Sequence, residues 1–203
     1  VAEADRKVGV EPPGVEQQIG RALDGGDLRG AATLALQGYG PHILRYLMGI
    51  LRDLELTEEA FSRFSENLWR GLGGFRRECA FRVWAYKLAW NAAVDVGRDP
   101  HRRRTKRLGT TEISNLAAEI CSTARPDLKS WAKQRLRILR ESLDPDERSL
   151  LLLRIEKRLA WKEVAEVMSR PHRPLDEAAV RKRFERLKNK LRRLAQEQGL
   201  LGR

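Results

Sequence analysis

The chain is poor in the residues that build metal centres and covalent frameworks. It holds two cysteines, Cys79 and Cys121, and three histidines, His42, His101 and His172, all placed singly. No Cys/His spacing suits zinc, and two isolated thiols make no disulfide framework. No apolar run approaches the roughly 18 residues of a membrane-spanning helix, so no membrane insertion is expected. The opening segment, Val1-Ala-Glu-Ala-Asp-Arg-Lys, lacks the apolar stretch that follows the charges of a secretory signal. A cytoplasmic location is the expectation. Period-2 alternation is missing too, so strands are not expected. There is no Gly-rich phosphate loop before a Lys-Ser/Thr, no paired carboxylate in a cleft-like context and no metal-ligand spacing. Neither an enzyme nor a cofactor site is expected.

What the chain does have is positive charge. Its 203 residues carry 40 Lys and Arg against 28 Asp and Glu, a formal charge of +12, and 41% hydrophobic residues supply enough apolar material for a core. The charge is clustered. Arg98, Arg102, Arg103, Arg104, Lys106 and Arg107 stand against Asp99 alone, and a second basic cluster runs from Arg181 to Arg193. An evenly solvated surface would spread these charges. Two separated basic stretches favour two contacts on one long polyanion, most often a nucleic acid.

Helical signals set the organisation. Residues 1–26, through Glu11-Pro12-Pro13-Gly14, read as an N-terminal arm. Asp27 caps a helix continuing through Leu34, Leu36, Ile43, Leu47 and Leu51, with a bend expected near Gly38-Tyr-Gly-Pro41. Thr57-Glu58-Glu59 starts a helix that runs to about Gly71, and a further helix spans about Ala80 to Arg98. Residues 105–126 read as a linker with one short helix near Ile113–Ile120. Four helical patterns follow: Leu128–Ser142, Pro145–Lys157 behind Asp144, Trp161–Met168 and Asp176–Gln196. The expected fold is all-α, with two helical domains joined by a flexible linker.

Two segments have the composition of nucleic-acid contacts. In the last helix Val180, Phe184, Leu187, Leu191 and Leu194 repeat at spacings of 4, 3, 4 and 3, a clean apolar stripe. Lys182, Glu185, Arg186 and Asn189 lie opposite, flanked by Arg181 and Arg183. A helix docked in the major groove needs this division between packing stripe and long polar donors. A solvated helical hairpin would show it as well, and the Ser169–Leu175 loop is longer than the three- or four-residue turn of the standard helix-turn-helix.

In the helix from Ala80 to Arg98, Trp84, Leu88, Asn91 and Asp95 fall on one line, and Val83, Trp90 and Val94 form a strip on the far side. Asn91 and Asp95 break the binary pattern, as polar residues do at functional sites or in satisfied buried networks. Trp84 is expected in the core. Trp90 is either core or a stacking platform for an unpaired base. The preceding Gly71-Leu-Gly-Gly-Phe-Arg-Arg-Glu-Cys79 sets an aromatic beside two arginines on a Gly-hinged loop. That composition suits a single-stranded nucleotide, and it also suits a plain interhelical loop.

Phe75-Arg-Arg-Glu-Cys-Ala-Phe-Arg-Val-Trp-Ala-Tyr-Lys-Leu-Ala-Trp-Asn-Ala-Ala-Val-Asp95, with the basic run behind it, resembles region 2 of bacterial RNA polymerase sigma factors of the extracytoplasmic-function group. The shared pattern is F-R-x-E-x-x-F-R-x-W-x-Y-x-x-A-x-N-x-x-x-D. Leu143-Asp-Pro-Asp-Glu-Arg-Ser-Leu-Leu-Leu-Leu-Arg154, Leu159–Met168 and the basic helix resemble region 4. The resemblance implies a region 2 domain at 27–104, a linker at 105–126 and a region 4 domain at 127–203. It also implies a specificity subunit with two partners, the polymerase core (β′ clamp helices and β flap) and promoter DNA. An anti-sigma factor is a further partner that the family often has.

By the same resemblance, Phe75, Arg76, Arg77, Trp90, Asn91 and Arg98 would meet the melted −10 element. Arg181, Lys182, Glu185, Arg186 and Asn189 would meet the duplex −35 element, and Glu58, Glu59, Ser62, Arg63 and Asn67 the β′ clamp. The chain departs from the family at Ser62 and Arg63, where Gln and Glu are usual, and at Trp90, where a basic residue is common. The alternative reading is a stand-alone helix-turn-helix regulator. It accounts for residues 127–196 and leaves Asn91, Asp95 and the Phe75–Glu78 loop without purpose.

Overall fold

The structure, a computed structural model, describes residues 14–98, 142–170 and 172–197. The chain divides into two compact units, Val1–Ile120 and Cys121–Arg203. Both are helical; among the described residues β structure is limited to an isolated bridge between Arg170 and Arg173.

In the first unit α1 (Val15–Asp24), α2 (Leu28–Leu51), α3 (Leu54–Gly71) and α4 (Phe81–Arg98) follow in order, with a 3-10 turn at Leu72–Gly74 after α3. The first helix corrects the expectation of an arm through residue 26. Val15, Ile19, Ala22 and Leu23 form an i, i+4 row behind Pro12-Pro13-Gly14, and that row docks on α2. The approach is close: a Cβ on Gly38 would lie 2.6 Å from Val15 Cγ1. Asp27 caps α2 as expected, its Oδ1 accepting from the Gly30 N–H at 2.8 Å. Pro41 lies inside α2, which spans it without a break. Proline removes one ladder bond there, and packing of α2 against α1, α3 and α4 offsets the loss.

The third helix begins a turn before the Thr57 start that its acidic residues suggest. Asp53 is the cap, its Oδ1 accepting from the Leu56 N–H at 2.9 Å. Thr57 is instead a buried interior residue, its hydroxyl donating to the Asp53 carbonyl at 2.6 Å. The core gathers Ile43, Leu47 and Ile50 of α2, Phe64 and Leu68 of α3, and Phe81, Tyr86 and Trp90 of α4. Tyr46 and Tyr86 meet edge to face at 5.2 Å and tie α2 to α4.

In the second unit α5 (Pro145–Leu151) runs into a π-helical turn at Leu152–Glu156, followed by α6 (Trp161–Met168) and α7 (Glu177–Glu197). Asp144 and Glu147 form a reciprocal capping box with bonds of 2.7 and 3.0 Å. Asp176 caps α7 through the Ala179 N–H at 2.6 Å. Leu150, Leu153, Leu159, Val164, Val167, Val180, Phe184 and Leu187 make the core of this unit. The linker at 105–126 and the helices expected at Ile113–Ile120 and Leu128–Ser142 lie outside the described residues, apart from Ser142, which is in a turn.

The capping box is testable locally. Asp144→Ala removes one side of it and should lower the opening free energy of α5 by about 1 kcal/mol. Amide hydrogen exchange at Leu150 and Leu153 measures this, with amides of α2 unchanged.

Candidate nucleic-acid interface

Burial on α4 is broad and one-sided. Phe81, Val83, Ala85, Tyr86, Ala89, Trp90, Ala92, Ala93 and Val96 are buried, which takes more than half of the helix circumference. The open line that remains is formed by Trp84, Lys87, Leu88 and Asn91, all half-buried, and by exposed Asp95. The polar breaks at Asn91 and Asp95 therefore lie on the open side and, among the described residues, belong to no buried network. Trp90 is 1% exposed. Its indole is packed inside the unit, so of the two readings, core or stacking platform, the core holds, and the −10 contact that the resemblance implied for Trp90 is corrected. Only Val83, Trp90 and Val94 carried a sequence signal for that far side; the small residues Ala85, Ala89, Ala92 and Ala93 complete it.

Trp84, expected in the core, lies at its edge. Its ring packs on Phe75 at 4.9 Å and on Phe81 at 5.4 Å, while Phe75 and Phe81 meet at 5.4 Å. This aromatic cluster fixes both ends of the loop between the 3-10 turn and α4. Close approach is required here too, since a Cβ on Gly71 would meet Trp84 Cζ2 at 2.9 Å. Arg76 is exposed on that loop. Arg77 has φ +58° and donates from Nη2 to Asp24 Oδ1 at 2.6 Å and to the Gly20 carbonyl at 3.1 Å. A cavity of about 210 Å³ opens beside the loop, lined by Glu16, Ile19, Gly20 and Leu23 of α1 and by Phe75, Arg77 and Cys79 through Phe81. Arg98 is the last residue of α4.

On α3 the expected clamp residues Glu58, Glu59, Ser62, Arg63 and Asn67 are all half-buried. Glu59 and Arg63 pair at 3.3 Å, with side chains only 12% and 18% exposed. The residues exposed near the end of this helix are others: Trp69, at 53%, and the Glu66–Arg70 pair at 3.8 Å. A tryptophan off the apolar stripe was the available signal for this surface.

The second unit presents α7 as the sequence pattern requires. Val180, Phe184 and Leu187 are buried, and Arg181, Lys182, Glu185, Arg186 and Asn189 are exposed. These five differ in their engagements. Arg181 pairs with Glu177 and lies over the Trp161 ring at 5.6 Å. Glu185 pairs with Lys188 at 2.8 Å, and Asn189 Oδ1 accepts from Arg192 at 3.1 Å. Lys182 and Arg186 enter no ion pair among the described residues, and one helical turn separates them on the outer face.

Three devices hold α7. Trp161 meets Phe184 edge to face at 5.2 Å, and the Arg154 guanidinium stacks over Trp161 at 4.3 Å while donating to the Leu159 carbonyl at 2.7 Å. Lys190 reaches Glu147 of the capping box at 2.5 Å. The 169–175 loop is tied across its base, with Ser169 Oγ accepting from the Leu175 N–H at 2.9 Å and donating to the Leu175 carbonyl at 3.2 Å. Its length is therefore compatible with a fixed entry to α7. Among the described residues no cluster of His, Cys, Asp or Glu could hold a metal ion, and no helix is long and apolar enough to cross a membrane.

Residues 36–107 match the family model for sigma-70 region 2. The chain is also similar to the RNA polymerase sigma-H factor of Pseudomonas aeruginosa, with 26% identity over 162 residues, covering 77% of this chain and 83% of that protein. The first match takes in α3, the aromatic loop and α4; the second extends over most of the sequence.

The assignment of Trp90 to the core gives a direct test. Trp90→Ala should destabilise the first unit by about 3–5 kcal/mol, whereas Trp90→Phe should cost far less. Denaturant unfolding of the full chain measures both; near-native stability of Trp90→Ala would contradict the burial.

Proposed function

Because the chain belongs to the sigma-70 family of RNA polymerase sigma factors, we propose that it binds the polymerase core and directs promoter-specific initiation, reading the −35 element as duplex and capturing the melted −10 element. The observation that carries this reading is the face of α7. Its apolar stripe is spent on packing, and Lys182, Glu185, Arg186 and Asn189 are left together on the opposite side. Long donors on a helix packed in this way suit the major groove, where base edges and phosphates lie within one helix width. Lys182 and Arg186 are the leading contacts because no other side chain among the described residues holds them. Arg181, tied to Glu177 and Trp161, serves better to set the rotation of α7.

For the −10 element the open line of α4 and the loop before it are the surface. Asn91 offers a donor and an acceptor to a base edge, and Arg76 an exposed charge to a phosphate. Capturing unstacked bases on such a surface offsets the few kcal/mol that each unstacked step costs. The cavity beside Phe75 and Phe81, apolar on one side and flanked by Glu16 and Arg77, has the character of a base pocket. The half-buried flank of α3, with exposed Trp69 near its end, is assigned to the β′ clamp, and the second unit to the β flap. No chemistry is assigned to the chain. Its work is binding, and its affinity for DNA should fall steeply with salt.

Size exclusion of the purified chain with polymerase core tests the assignment. Co-elution is expected, together with strong binding of a pre-melted promoter fork only when core is present. A chain that binds duplex DNA unaided and ignores core would instead be a stand-alone regulator.

Within the holoenzyme, Arg186→Ala should lower transcription from −35-dependent promoters about tenfold, within the range for one lost groove contact, and leave core binding intact. Asn91→Ala should weaken fork binding while sparing core binding; unchanged fork affinity would remove Asn91 from the strand surface.

A further inference from the structure

The first helix is built into the loop that the preceding assignment gives to the opened strand. Four observations meet there. Glu16 accepts a hydrogen bond from the Phe81 N–H, so a carboxylate of α1 caps the start of α4 from outside that helix. Arg77 reaches across to the Gly20 carbonyl and to Asp24. Its backbone is in the left-handed region, which a residue with a Cβ adopts uncommonly. Finally, Glu16, Ile19, Gly20 and Leu23 make one wall of the cavity whose other wall is the loop.

We infer that α1 is a positioning element for −10 capture. Asp24 and Glu16 fix the Phe75–Ala80 loop in the shape that meets the strand, and Arg77 is the latch of that loop rather than a contact to DNA. The inference rests on the reading of this loop as the strand surface, and it changes the role of Arg77 within it. Electrostatics separates the two roles by sign. Asp24 and Glu16 are acidic groups beside a surface that would receive a polyanion. If Arg77 gripped phosphate, loss of the Asp24 charge would release its guanidinium and remove a repulsion, and binding would tighten. If Arg77 is a latch, the same change loosens the loop and binding weakens. The Arg77–Asp24 pair is half open to water, with side chains 48% and 67% exposed, so the effect is modest.

The experiment uses holoenzyme assembled with the full chain and a fork fragment from a start site that this holoenzyme transcribes, its non-template −10 segment single-stranded. Asp24→Asn should weaken fork binding about two- to fivefold, the size of a partly exposed ion pair. Binding to core and the thermal unfolding of the chain should be unchanged, and Asp24→Glu should restore the fork affinity. Glu16→Ala should act in the same direction. Unchanged or tighter fork binding by Asp24→Asn would overturn the latch. Arg76→Ala in the same assay marks the loop itself: a loss there beside a silent Asp24→Asn defeats the role of α1 alone. Silence in both removes the loop from the strand surface, and the inference falls with it.

Discussion

The rotation of α4 about its own axis is the constraint on which the first unit depends. Nine of its residues, from Phe81 to Val96, are buried against the neighbouring helices, and a helix held over so wide an arc has one way to sit. What that leaves open is a narrow line from Trp84 to Asp95. Trp90 and Tyr86 secure the arc with large rings, and the alanines between them let α2 and α3 come close. The proposed strand surface is thus what the core does not consume, and its placement follows from packing rather than from any property of Asn91 or Asp95.

The loop before α4 inherits that order from two sides. The Phe75–Phe81–Trp84 cluster pins it to the helix from within, and Glu16 and Asp24 hold it from α1. A loop fixed at several points loses less freedom when a ligand arrives, so more of the contact energy remains as affinity. The second unit uses the same economy. Arg154, Trp161 and Phe184 stack in series from the π turn to α7, and the Glu147–Lys190 pair joins the capped start of α5 to the far half of α7. Both proposed DNA surfaces are mounted on elements whose freedom has already been spent.

Legibility from sequence followed the strength of local signals. The α6 span and the start of α7 at Asp176 came from clear local chemistry, and the exposed face of α7 from an apolar stripe that leaves one possible orientation. The start of α3 differs from the expectation because Thr57-Glu58-Glu59 is a good opening turn in isolation, while Asp53 offers an equally good cap four residues earlier. The first helix is hard to read from sequence because Pro12-Pro13-Gly14 resembles the end of an arm, and the Val15, Ile19 and Leu23 row behind it is short. Trp90 stayed ambiguous for a different reason. An aromatic among alanines carries no mark of which side of the helix faces the core.

Composition and periodicity by themselves determined that the chain is helical and basic in two places, and the motif running from Phe75 to Asp95 carried its kinship. These are local or additive properties, readable along one dimension. Only the tertiary structure decided that Trp90 is interior, that Trp84 sits at the edge, that Arg77 is held by α1 and that Lys182 and Arg186 are exposed on the outer face of α7. Each of those depends on which residues far apart in the chain come within a few ångströms of one another, and burial is a property of the neighbours as much as of the residue itself.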